Sequence, residues 1–226
     1  MVNKQQRTVW ILNLVLAFFT LSSLADEAAL YDLAPEDSAF LRIIDLRKTT
    51  ADNLSPDRLT LRIKDKRLST AAYCSASTFI YLPAGAYQKE INGLPWKGVL
   101  EPNKAYSLVV DDRSVRLLVG YRADNARRAV LAVYNFSNYA QLGLQTAGSA
   151  RPVFTSIPQG ESSARAINPL KSAFAVVDQV DSDNKNLAVT DAMIFQPGVL
   201  SSLFICAGEE GVFTRWADRL GGDQWL

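Results

Sequence analysis

"PEDSAFLRIID", residues 35–45, passes within three residues from a polar, proline-opened segment into an apolar strand. Pro35 restricts the chain, and the short polar side chains of Asp37 and Ser38 suit an entry turn by bonding back to the main chain. Phe40-Leu41-Arg42-Ile43-Ile44-Asp45 then supplies the aromatic and branched residues that strands favour. About ninety residues later Val130-Leu131-Ala132-Val133-Tyr134-Asn135 repeats the form, an apolar strand closed by Asn instead of Asp. A second pair follows. Leu100-Glu101-Pro102-Asn103 precedes the strand 105–110, and Phe195-Gln196-Pro197-Gly198 precedes the strand 199–205, an offset of about ninety-five. The spacing predicts two tandem β domains, residues 26–122 and 129–226, meeting in the polar, turn-prone stretch 123–128. A chance match of generic β patterns, and two units sharing one fused core, remain open beside it.

The rest of the chain agrees with an all-β protein. Arg58-Leu59-Thr60-Leu61-Arg62-Ile63 alternates with the period of a half-buried strand. Residues 78–82, 105–110 and 115–121 read as further strands. Asn92-Gly93 suits a tight hairpin turn, and Asp111-Asp112-Arg113 separates two apolar runs at hairpin distance. No stretch of twelve residues beyond the N-terminal segment holds a helical period. Short strands with frequent turns point to sandwiches or small barrels.

Residues 1–25 have the form of a signal peptide: a basic start at Lys4 and Arg7, an apolar run over 9–21, and small residues before Asp26. Cleavage between Ala25 and Asp26 is expected, which makes the product a periplasmic protein that meets the membrane only before cleavage. Removing Lys4 and Arg7 takes the basic count from 24 to 22 against 23 acids. That balance gives no electrostatic reason to expect nucleic acid as a partner. Arg113, Arg116, Arg122, Arg127 and Arg128 crowd one region, which reads as a solvated strand face. Cys74 and Cys206 are the two cysteines. Export permits a disulfide between them, and a buried free thiol acts as an ordinary small apolar residue, so both readings stand.

The sequence contains no histidine. A serine nucleophile needs an adjacent base, usually imidazole, so a Ser-His-Asp arrangement cannot be assembled. Ser38 therefore reads as a turn residue, and no cofactor is expected. Arg42 stands inside an apolar run and is expected to pair with Asp37, Glu36 or Asp45. Trp96, Tyr134 and Tyr139 are the aromatic residues best placed to stack on a sugar ring, against the ordinary expectation that such rings are core. Asp178, Asp181, Asp183, Asn184 and Asn186 form an oxygen-rich stretch, but it lacks the glycine and closing glutamate of an EF-hand and reads as a solvated loop.

Leu30-Tyr31 with Pro35-Glu36-Asp37-Ser38-Ala39-Phe40-Leu41-Arg42 resembles the opening of the AlgF family, accessory proteins for O-acetylation of alginate and related exopolysaccharides such as cellulose. Tyr134-Asn135, Ile167-Asn168-Pro169-Leu170-Lys171 and Gln196-Pro197-Gly198 are similar to later segments of that family. The resemblance implies two β-sandwich domains similar to carbohydrate-binding modules. It also implies a non-catalytic role in bringing periplasmic polysaccharide O-acetyltransferases together, with the polysaccharide itself as a second partner. Asp37, Ser38, Arg42 and Asn168 become the interaction candidates. The alternative is a stand-alone carbohydrate-binding module that uses the aromatics named above.

Overall fold

A computed structural model describes residues 34–48, 59–123, 125–180 and 186–217. The expected signal peptide and cleavage site lie outside the described residues, as do Asp181, Asp183 and Asn184 of the oxygen-rich stretch. The described residues are all-β, with no helix among them, and Pro35–Leu226 forms one compact unit.

The first half contributes β1 (Ser38–Asp45), β2 (Leu59–Ile63), β3 (Lys66–Thr70), β4 (Ser75–Ala76), β5 (Ile80–Pro83), β6 (Gly85–Ile91), β7 (Leu94–Leu100), β8 (Ala105–Val110) and β9 (Val115–Val119). The second half contributes β10 (Ala129–Phe136), β11 (Gln141–Thr146), β12 (Pro152–Pro158), β13 (Ser162–Ile167) and β14 (Lys171–Ser172). It continues through β15 (Phe174–Asp178), β16 (Asn186–Val189), β17 (Met193–Ile194), β18 (Leu200–Gly208) and β19 (Gly211–Trp216).

Each half is centred on a parallel pair. β1 runs parallel to β8, with β9 beyond it and β4 and β5 on the other flank; β10 runs parallel to β18, between β13 and β19. Parallel neighbours need a long crossover, and here hairpins fill it instead of a helix. The register bears on the repeat seen in the sequence. Phe40 lies opposite Ala105 in the first sheet and Val130 opposite Leu200 in the second, the residues that the two offsets match. The preceding turns match as well. Asn103 (φ 58°) donates its N–H to Ser38 O, and Gly198 (φ 69°) donates to Arg128 O. Asparagine and glycine are the residues that tolerate this left-handed backbone.

All eight residues of β1 and of β10 are buried, because each strand is covered on both faces. This is why their sequences run apolar without alternation. Ala39, Leu41 and Ile43 face a core closed by the β2–β3 and β6–β7 hairpins. Leu131 and Val133 face a second core under the sheet β12-β11-β15-β16. The remaining faces meet one another: Ile44 and Val109 from the first half pack with Val130, Ala132, Tyr134, Phe136 and Phe204 from the second. The two halves therefore share a central core.

Candidate functional site

Arg42 lies at the centre of that shared core and is fully buried. Its Nε donates to Ser107 Oγ at 2.8 Å, and its Nη2 donates to Tyr134 Oη and Ser202 Oγ, each at 3.0 Å. Its Cζ sits 4.6 Å from the Phe79 ring centroid and 5.2 Å from that of Phe204. Ser107 stands beside it on the parallel neighbour, while Tyr134 and Ser202 come from the other half. Burial pulls the guanidinium below its usual pKa, and the Tyr134 hydroxyl pulls the other way. Hydrogen bonds to a charged group contribute roughly 1.5–3 kcal/mol each, and a desolvated cation on a ring about 2 kcal/mol. Together these offset part of a desolvation cost of several kcal/mol, since Nη1 is buried with no hydrogen-bond partner among the described residues.

The expected pairing of Arg42 with Glu36, Asp37 or Asp45 does not form. Side chains alternate along a strand, so Arg42 and Asp45 project from opposite faces of β1. Asp45 instead holds Arg47 in a fork, Oδ1 accepting from Nε and Oδ2 from Nη2, both at 3.0 Å. Asp45 Oδ1 also accepts the Arg47 N–H at 3.0 Å. The second half repeats this with a neutral residue, Asn135 Oδ1 accepting the Ser137 N–H at 3.1 Å. The acid or amide that ends each opening strand is thus a chain-turning device.

The other candidates are dispersed. Ser38 is buried and donates its N–H to Pro35 O at 2.9 Å, closing a turn across Glu36 and Asp37. Asp37 and Asn168 are exposed, in different halves, and no side-chain hydrogen bond joins them. Trp96 and Tyr134 are 3% and 0% exposed, so neither offers a ring face to a sugar, which corrects their standing as stacking candidates. The reason for Trp96 is local: its indole folds back along β7 over Gly98, where an added Cβ would lie 2.6 Å from Trp96 Cζ2. Tyr139 is half-buried against the second-half core. Among the described residues no group of three or more acidic, cysteine or histidine side chains could hold a metal. The structure pairs Cys74 with Cys206 in a disulfide that joins the halves, with Cα atoms 6.3 Å apart.

Sequence reading missed Arg42's partners. The signal was present as serines within buried strands, Ser107 in β8 and Ser202 in β18, because a buried hydroxyl implies a polar partner nearby.

The family model described as "Alginate O-acetyl transferase AlgF" matches residues 12–195. The chain belongs to the AlgF family. Proteins named alginate biosynthesis protein AlgF from Pseudomonas fluorescens and from P. aeruginosa are similar to it. The first is 25% identical over 88% of this chain and 87% of its own length, the second 32% identical over 68% of each. The Azotobacter vinelandii AlgF is 31% identical over 68% of both chains. A solved C-terminal domain of AlgF from P. aeruginosa aligns at 23% identity with a TM-score of 0.33, covering 40% of this chain and 96% of that one. Alginate biosynthesis and O-acetylation are the processes these names attach to the AlgF family.

Proposed function

We propose that this AlgF-family chain is a non-catalytic periplasmic adaptor for O-acetylation of an exopolysaccharide, alginate first among them, and that it acts by binding the acetyltransferases. One observation carries the reading: the polar constellation that spans the two halves, Arg42 with Ser107, Tyr134 and Ser202, is sealed between them. A group that no substrate can reach serves the scaffold. Acyl transfer through serine also needs a base, and the chain has no imidazole to supply one. The alternative of a stand-alone sugar-binding module keeps only half-buried Tyr139 of its platform, since Trp96 and Tyr134 lie in the core.

The test pairs genetics with enzymology. Deleting the gene should remove O-acetyl groups from the secreted polymer, and a copy carrying Ser38→Ala should restore them. The purified chain should release no acetate from an acetyl ester or from acetylated alginate. Ester turnover by the wild type that disappears in Ser38→Ala would overturn the reading. Fractionation should recover the chain, trimmed after Ala25, from the periplasm.

A further inference from the structure

β13 is the outer strand of the second parallel-centred sheet. Asn135 accepts from Gly160 N–H and donates to Glu161 O, so the alternation of an antiparallel ladder turns Ser162, Ala164 and Ala166 outward. The carbonyls of Ser162 and Ala166 are taken by Tyr121 Oη and Arg128 Nη2. Both backbone groups of Ala164 and the N–H of Ala166 face away from β10 without a partner among the described residues. Along this edge runs a pocket of about 250 Å³, lined by Ala164, Arg165 and Ala166 on one side and by Tyr121, Asn125 and Arg128 on the other. Arg128 Nε is buried there with no hydrogen-bond partner among the described residues. Arg165 spends one nitrogen on Val153 O, and neither guanidinium is ion-paired among the described residues.

We infer that this edge and pocket dock an extended acidic segment of a partner protein, which adds as a strand to β13 and sets a carboxylate against Arg128 and Arg165. The inference rests on the adaptor reading and names its surface. The groups this edge leaves unpaired, both backbone groups of Ala164 and the N–H of Ala166, are of the kind that another backbone satisfies, with its amides and carbonyls at strand spacing. A sugar chain carries no such alternation, and the Tyr121 ring is packed against the shared core with its hydroxyl donated to Ser162 O. The cations select the sign of the incoming side chain, and an orphaned buried N–H is the kind of donor that a partner's acceptor repays. The arginine-rich stretch that reads in sequence as a solvated strand face thereby acquires a specific use at Arg128.

The full chain, isotopically labelled, is titrated with an acetylated Val-Glu-Val-Glu-Val peptide, its glutamine counterpart, a hexauronate and inorganic phosphate. The acidic peptide should shift the Ala164 and Ala166 amides and the Arg128 Nε resonance. Arg128→Gln and the exposed Arg165→Gln should each weaken it about tenfold, the glutamine peptide should bind correspondingly less, and melting curves should show both variants folded. Shifts elsewhere, or the same shifts from hexauronate or phosphate while the peptide is silent, overturn the inference. In the second arm, the acetyltransferases of the same host are offered to the wild type and to Arg128→Gln/Arg165→Gln. Capture by the wild type alone supports the surface. Equal capture by both overturns the surface and leaves the adaptor standing, while capture by neither overturns the adaptor as well.

Discussion

Arg42 accumulates contacts that no smaller side chain could replace. It carries a fork of donors long enough to reach hydroxyls on three strands, and its plane rests against Phe79, Phe204 and Tyr134. Arg42→Ala removes the donors, leaves three buried hydroxyls to find other partners, and opens a cavity between the halves. The expected loss is about 3–5 kcal/mol, the range for breaking buried polar groups or emptying a core site, measured by urea unfolding. Arg42→Lys keeps the charge but has neither the fork nor the planar face, so it should lose roughly half as much, about 2 kcal/mol. Equal stability for the alanine and wild-type chains would show that the cluster contributes nothing net.

Turns and hairpins show how the elements are fixed. The two-residue Asn92-Gly93 turn joins β6 to β7 with φ of 53° and 77°, and sets Ile91 opposite Leu94. On the same hairpin Gly98 leaves room for the Trp96 indole, so Gly98→Ala should force that ring aside and cost about 1–3 kcal/mol, visible in tryptophan fluorescence and thermal melts. In the loop between β8 and β9, burial pushes the Asp111 carboxyl up. The Ser114 hydroxyl and the N–H groups of Arg113 and Ser114 outweigh it and hold its pKa below the ordinary value. A depressed carboxyl adds stability that is present above its unfolded pKa, about 3.9, and lost as pH falls through the folded one. Wild type should therefore exceed Asp111→Asn at pH 7, and the gap should close below about pH 4. The Asn92-Gly93 and Asp111–Arg113 turns were legible in the sequence because a turn is written in adjacent residues, while the burial of Trp96 over Gly98 was not. The repeat was legible too, its two offsets reappearing as matched registers of β1 with β8 and β10 with β18. The parallel pairing itself was hidden. A strand buried on both faces and a core helix segment read alike, and nothing local tells Phe40 that Ala105 will lie beside it. Arg42's partners left only the trace of serines within apolar strands, and which of them meet Arg42 was hidden for the same reason, the farthest being 160 positions away.

At the scale of the whole molecule, the question is whether the two halves behave as separate domains or as one cooperative body. The sequence alone suggests a division at 26–122 and 129–226, while the packing joins the two halves. Phe136 and Phe204 share a core with Ile44 and Val109, Arg42 crosses the seam, and Cys74–Cys206 spans 132 positions to tie one half to the other. We propose that the halves unfold together. A cross-link closing so long a loop restricts the unfolded chain by about 4–5 kcal/mol on the loop-entropy account. Cys74→Ala/Cys206→Ala should therefore lower stability by several kcal/mol while still unfolding in a single transition, because the apolar seam and Arg42 remain. Hydrogen exchange separates the two effects: amides of Leu41 in β1 and Leu131 in β10 should exchange with the same opening free energy in the wild type, and both should fall by the same amount in the variant. Independent falls, or a half that melts at its own denaturant midpoint, would mean that the disulfide alone joins two autonomous domains. Held as one rigid body, the chain presents the β13 edge at a fixed angle to everything the first half touches, whereas two autonomous domains would present it at many.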